Sequence, residues 1–291
     1  MSQNLNNPMD IGLRAYAQPL QLYETFVPYQ GPAHIDKLYE LLAEEDSGQQ
    51  LLKQKQLNRF SKRDRIRALL TVRPAGKVSQ ELADLNDAIL QEELKQKVVT
   101  DSRELDSFAC AGRSISIWQG DITQLKVDAI VNAANSQLLG CFIPFHTCID
   151  YAIHDAAGVQ LRRDCDIIIT RQGHPEKTGE AKITRGYNLP ASFVIHTVGP
   201  IVQGTLRDTE RQQLKASYTS CLDLAEEMHL KSIALCAIST GVFGFPKYEA
   251  ADIAKETIQM WLHEHPKSSL QHVIMNAFDE ETQRLYEEVW T

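Results

Sequence analysis

The chain has 291 residues, 43% hydrophobic and 23% charged, an ordinary balance for a packed globular protein of two units, or of one unit with a large extension. A formal net charge of −8 argues against a non-specific nucleic-acid binder, which needs a basic face to release counterions. No stretch reaches the roughly 18 uncharged apolar residues of a membrane span, and the first residues lack a basic start followed by an apolar run, so the expectation is a cytoplasmic protein with no nucleic-acid or membrane partner. In that compartment thiols stay reduced, and a close set of cysteines and histidines reads as a metal site before it reads as a disulfide.

Residues 1 to about 32 hold Pro, Gln, Asn and Tyr with little periodicity, an irregular arm that must lie on something to be ordered. "HIDKLYELLAEED", "QQLLKQKQLNRFSKRDRIRALLTV" and "SQELADLNDAILQEELKQK" then place apolar residues at three- and four-residue steps, the pattern of amphipathic helices. Ser79, with Glu81 and Glu92 after it, suits a helix start with a charged outer face. The basic run "KRDRIR" reads as a solvated helix face. Residues 1–105 are therefore expected to form an α-helical N-terminal extension, and residues 106–291 a second unit.

In that second unit short β-branched runs alternate with helical patterns. "SISIWQG", "VDAIVNAAN", "SFVIHTVG", "SIALCAIST" and "HVIMNAF" predict strands. "CIDYAIHDAAG", "DTERQQLKASYTSCLDLAEEMH" and "YEAADIAKETIQMWLHEH" predict helices. The alternation implies an α/β fold with a mainly parallel sheet covered on both faces, where ligands bind beyond the carboxyl ends of the strands. Two strand ends draw attention. "VDAIVNAAN" leaves its apolar run at Asn132 and Asn135, and "ISTGVFGFP" places Ser239, Thr240, Gly241 and Gly244 between a strand and a helix, where small residues let amides approach an anion.

Between those strands, "LLGCFIPFHTCIDYAIH" holds Cys141, His146 and Cys148, two soft ligands and a borderline one of the kind that suits Zn²⁺. The spacing leaves three readings open: a structural zinc completed by His174 or Asp150, a zinc with a vacant fourth position, or cysteines that merely pack. Pro144 would stiffen the loop. Cys110, Cys165, Cys221 and Cys236 stand among apolar neighbours as expected buried small residues, and His196 as a satisfied core histidine.

"GDIT" at 120–123, "VDAIVNAAN" at 127–135, "IDYAIHDAAG" at 149–158, "TGEAKITRGYNLPASFVIHTVGP" at 178–200 and "AISTGVFGFP" at 237–246 occur in the order seen in macrodomains. Over about residues 110–291 the chain resembles that family of ADP-ribose-binding modules and hydrolases. The resemblance implies a three-layer α/β/α macrodomain with a mixed, mainly parallel sheet and a deep cleft. It assigns Asp121 to the adenine amine, the Ile122 backbone to the adenine ring, and Asn135, with Asn132 close behind it, to the distal ribose. The loop Ser239, Thr240, Gly241, Val242, Phe243 and Gly244 takes the diphosphate, Phe243 lying against the distal ribose. From local sequence alone Asp121 is instead a cap before Thr123.

Hydrolase-type macrodomains carry a run of glycines where this chain has "GCFIPFHTC" and only Gly140 remains. In this the chain resembles the zinc-dependent subclass, whose metal sits beside the distal ribose. That implies Cys141, His146 and Cys148 as ligands of a catalytic Zn²⁺, which would act as a Lewis acid or lower the pKa of a bound water. Asn135 and Asp150 are the catalytic candidates, and Asp150 also reads as a first-turn acid that the helix N-terminus keeps ionised. His154, four residues on, reads as its structural partner. The expected function is removal of single ADP-ribose groups from modified protein side chains, with esters to Asp or Glu favoured because the carboxylate leaves more readily than an amine. The alternatives are a reader of ADP-ribose without catalysis, or a deacetylase of O-acetyl-ADP-ribose. The resemblance further implies ADP-ribose and mono-ADP-ribosylated proteins as partners, with a sirtuin-like ADP-ribosyltransferase supplying the modification.

Overall fold

The computed structural model describes residues 12–290. Four helices follow the arm: α1 Ile35–Glu44, α2 Asp46–Leu52, α3 Lys62–Val72 and α4 Gln80–Lys95. Ser61 and Ser79 start α3 and α4, each hydroxyl accepting an amide of the first turn that has no partner inside the helix. Leu38, Leu42, Ile66, Leu69, Leu85 and Ile89 close into a core separate from that of the sheet.

The remaining elements are β1 Thr100–Asp101, β2 Phe108–Cys110, β3 Arg113–Gln119, β4 Leu125–Lys126, β5 Ala129–Ala133, α5 Ile149–Ala157, α6 Val159–Gln172, β6 Ala181–Arg185, β7 Phe193–Thr197, α7 Asp208–Glu227, β8 Ser232–Leu235, α8 Lys247–Glu264, β9 His272–Ala277 and α9 Glu280–Trp290. Seven strands form one sheet in the order β2-β3-β9-β8-β5-β7-β6. Its five inner strands run parallel, while β2 and β6 pair antiparallel at the two edges. β1 and β4 make a separate parallel pair. Helices α5 and α6 pack together against β5 and β6, and α7, α8 and α9 form the other layer, α9 against β3 and β9. This is the expected α/β/α arrangement with a mixed sheet. Covered on both faces, β5, β7 and β9 are buried almost throughout, which is why they read as short buried runs.

Helices α6 and α9 and strands β2 and β6 were not among the predicted elements. Gly158 at φ +100° divides α5 from α6, and α6 carries arginines and aspartates that blur its apolar stripe. The edge strands are short and owe their state to the neighbour they pair with.

The first eleven residues of the arm lie outside the described residues. Beyond them Leu13, Tyr16, Ala17, Leu20 and Leu22 join the core of the sheet. The Tyr16 hydroxyl accepts a hydrogen bond from the Ile183 amide of β6 at 3.2 Å, so the arm lies on the open edge of the sheet. Helix α4 docks on the α/β layer through polar groups: the Val159 amide at the start of α6 donates to Asn86 Oδ1 at 3.0 Å, and Gln160 and Asn188 both donate to Asp87. The basic run is not wholly solvated. Arg63 reaches Glu93 at 2.6 Å and Arg67 reaches Asp155 of α5 at 3.3 Å, so α3 turns two of these charges inward to bridge helices.

Candidate active site

Four segments meet beyond the carboxyl ends of β3, β5, β8 and β9, where the topology brings loops from both halves of the sheet together. After β3, Asp121 accepts from the amide of Thr123 at 2.9 Å and from its hydroxyl at 2.7 Å on Oδ1, and from Gln124 Nε2 at 2.8 Å on Oδ2. It thus caps the turn Ile122–Gln124, in which Ile122 is buried. A carboxylate has about four lone-pair sites, so the cap leaves room for one further donor. Phe278, the last residue of the expected strand "HVIMNAF", instead follows β9 with 81% of its surface exposed, and the two strand ends are tied where the Gly120 amide donates to the Ala277 carbonyl at 2.9 Å.

After β8, the loop turns sharply at Ser239, which has φ +65°, and again at Gly244, φ +71°. The Gly244 and Phe245 amides are satisfied by the carbonyls of Gly241 and Ser239, and Thr240 donates its hydroxyl to Ala237. Among the described residues, the amides of Gly241, Val242 and Phe243 have no acceptor, and the buried Ser239 hydroxyl has no partner. Val242 is 81% exposed, so its side chain leaves the backbone open to an anion. Gly199, after β7, permits the loop's approach, because a Cβ there would lie 2.1 Å from Ser239 Oγ.

The loop between β5 and α5 brings the three candidate ligands together. The ligand atoms of Cys141, His146 and Cys148 lie within 4.8 Å of one another, with Cys141 Sγ 3.5 Å from His146 Nδ1. A tetrahedral zinc with ordinary bond lengths would hold such a sulfur and nitrogen about 3.6 Å apart, so the residues fit the ion. Both sulfurs also accept amide hydrogen bonds, Cys141 from Ile143 and Cys148 from Tyr151 at the start of α5. Burial pushes the Cys148 thiol up to about 11. Among the described residues no fourth His, Cys, Asp or Glu joins this set: His174, one expected candidate, bonds to the Pro175 carbonyl instead.

Beneath the loop lies a buried polar floor. Asn132, expected to meet substrate directly, is fully buried and donates to Asp150 Oδ1 at 2.8 Å and to His196 Nδ1 at 3.2 Å. The strand places it on the α5 side of the sheet, under the cleft. Asn135 is the more open of the pair; it donates to the Gly140 carbonyl at 3.0 Å and to Asp150 Oδ2 at 3.4 Å. Burial pushes Asp150 up to about 6, although the Asn132 amide and the charge of Arg162 pull it down. At neutral pH the carboxyl is still mostly ionised. His196 is satisfied, as expected, through Asn132 and the Thr184 hydroxyl at 3.0 Å, and burial drops it to about 3. His154 approaches Asp150 at 3.6 Å, too far for a hydrogen bond, and burial keeps it neutral, so the two do not form an ion pair. Cys165 is buried but not isolated, its sulfur lying 3.8 Å from His196, while Cys110 is only half-buried.

The family model described as Macro domain matches residues 131–254. A protein-ADP-ribose hydrolase of Treponema medium is 48% identical over 222 residues, covering 76% of this chain and 84% of that protein. Among solved structures, a variant macrodomain of Oceanobacillus iheyensis with ADPR superposes with a TM-score of 0.58 at 37% identity, covering 64% of this chain and 96% of the other. A Trypanosoma brucei macrodomain in complex with ADP-ribose has a TM-score of 0.59 at 27% identity and covers 91% of this chain and 100% of its own.

Proposed function

The chain belongs to the macrodomain family and is a hydrolase acting on protein-linked ADP-ribose, and from that premise we propose that it is zinc-dependent and removes single ADP-ribose groups from Asp and Glu side chains. The observation that carries the metal part is the gathering of Cys141, His146 and Cys148 at ligand distance on the loop whose backbone Asn135 holds through Gly140. When bound, the ion would supply Lewis acidity at the distal ribose.

The chain's own residues provide the rest. Asp121 takes the adenine amine with its remaining lone pair, Ile122 supports the ring from its backbone, and Phe278 offers the ring an aromatic face. The unpaired amides of Gly241, Val242 and Phe243, with the Ser239 hydroxyl, hold the diphosphate, and Thr240 and Gly244 shape that loop. Phe243 closes over the distal ribose. Asn135 binds that sugar while keeping Asp150 in place, and Asp150, ionised above about pH 6, orients the attacking water. Asn132 acts from below by fixing the Asp150 carboxylate. The ester preference follows from the leaving group. A sirtuin-like transferase in a cytoplasmic setting is part of the same proposal.

Purified protein should hold about one zinc per chain, lost on joint Cys141→Ala and Cys148→Ala substitution. An ADP-ribosylated protein should lose its label on incubation with the metal-loaded chain and keep it when a chelator is present. Removal indifferent to the chelator would refute the metal, a label that persists with intact protein would mean a reader, and release confined to O-acetyl-ADP-ribose would mean a deacetylase.

A further inference from the structure

The loop that carries the metal candidates has no regular secondary structure and includes two non-glycine residues with positive φ, Leu138 and Phe145. Such backbone persists only where its surroundings over-determine it. Two of the loop's aromatic residues show what does so. Phe142, next to Cys141, lies under the guanidinium of Arg162 at 4.5 Å. Arg162 is a residue of α6, and its Nη1 donates to the carbonyls of Leu70 at 3.0 Å, Thr71 at 3.0 Å and Arg73 at 2.7 Å. These are carbonyls at the end of α3, which the helix itself leaves unpaired and which carry the negative end of its dipole. On the loop's other side Phe145, next to His146, stacks on Phe60, which precedes α3, with ring centroids 4.6 Å apart and planes at 20°.

We propose that the N-terminal helical extension is a working part of the active site: through Phe60 and through Arg162 bound to the end of α3, it clamps Phe145 and Phe142 and so sets the geometry of the loop that presents Cys141 and His146. Phe60 and Arg162 are positioning residues; they act through the two phenylalanines. Arginine suits the task because its Nη1 group shares its hydrogens among the three carbonyls while the planar guanidinium stacks on the ring, a flat face that a lysine ammonium lacks. The arrangement also accounts for a hydrolase loop bearing large apolar residues where a glycine run would be freer: each aromatic is an anchor for the ligand beside it. The part of the test that reads metal rests on the zinc reading above, and the part that reads loop order does not.

The full chain is compared with Phe60→Ala, Phe60→Tyr and Arg162→Lys. Phe60 is 41% exposed, so its truncation should leave the fold and its melting midpoint close to wild type. Zinc affinity, read by competition with a chromogenic chelator, should fall about 10–100-fold in Phe60→Ala and Arg162→Lys, the usual effect of losing a group that orients a ligand. Amide hydrogen exchange across residues 141–148 of the metal-free protein should accelerate in both. The turnover number should drop while ADP-ribose affinity holds, and Phe60→Tyr should restore every readout. Wild-type exchange across the loop in both Phe60→Ala and Arg162→Lys would overturn the clamp. A wild-type chain that takes up no zinc would overturn the metal reading, leaving the clamp to be judged by exchange.

Discussion

At Gly140 the backbone has φ +79°, and a Cβ would come within 2.8 Å of the His154 ring. That ring belongs to the buried floor and has nowhere to go, so a side chain at residue 140 must move the loop. Gly140→Ala is expected to lose about 1–2 kcal/mol from backbone conformation alone, more with the clash, and to lower turnover; an unchanged urea midpoint would disprove the constraint. Asp121 caps the turn that follows β3, and the proposed function gives it the adenine amine as well. Asp121→Ala should reduce stability by about 1 kcal/mol through the cap and weaken ADP-ribose about tenfold or more, as expected for a hydrogen bond to a charged group. Calorimetry showing full affinity would remove adenine recognition from this residue. Both positions were visible in the sequence, Gly140 as the lone glycine of its loop and Asp121 before Thr123. What the sequence hid is the neighbour facing Gly140, because the His154 ring that a Cβ would strike lies on a helix further along the chain.

Strands and helices were legible where their pattern is complete in itself. Strands β5, β7, β8 and β9 are runs buried almost throughout, and Ser79 sits one residue before the helix it starts, whereas Ser61, read as lying inside one long helical pattern, is the cap at which α3 begins anew. The elements that escaped, β6 and α6 above all, take their state from a partner: β6 from pairing with β7, α6 from Asn86 of α4 covering its first amide. Strand β7 offers a test of how an element carries charge. His196 lies on it, with Cys165 of α6, His154 of α5 and, through Asn132, Asp150 around it. In the unfolded chain this imidazole protonates near pH 6.5, whereas burial holds it neutral down to about 3. Between those values the unfolded state binds the extra proton, so the contribution to stability is lost on acidification, at about 1.4 kcal/mol per pH unit. From pH 7 to pH 5 the wild type should therefore lose about 2 kcal/mol more than His196→Gln in chemical denaturation; parallel losses would mean that His196 is not held neutral.

Across the whole molecule, the arm and the helical extension close surfaces that the α/β unit would otherwise leave open. The arm covers the β6 edge with side chains that belong to the sheet's own core, so Leu20→Ala, at a fully buried position, should cost about 2–5 kcal/mol. A denaturation midpoint unmoved by that change would show that the arm merely rests on the edge. The extension closes the other side, beside the loop of Cys141, His146 and Cys148, through Asn86, Arg67 and Phe60. From the sequence alone came the alternation of strand and helix, the strand ends where a nucleotide would sit, and a ligand set compressed into eight positions, because period, turn chemistry and spacing are local properties that a chain displays before it folds. Only the tertiary structure decided that Asn132 is buried in the floor, that Arg63 and Arg67 bridge helices, and that Phe60 before α3 packs on Phe145. Those outcomes depend on which distant surface each side chain meets, as when Arg162 finds the carbonyls of α3 some ninety residues earlier in the chain.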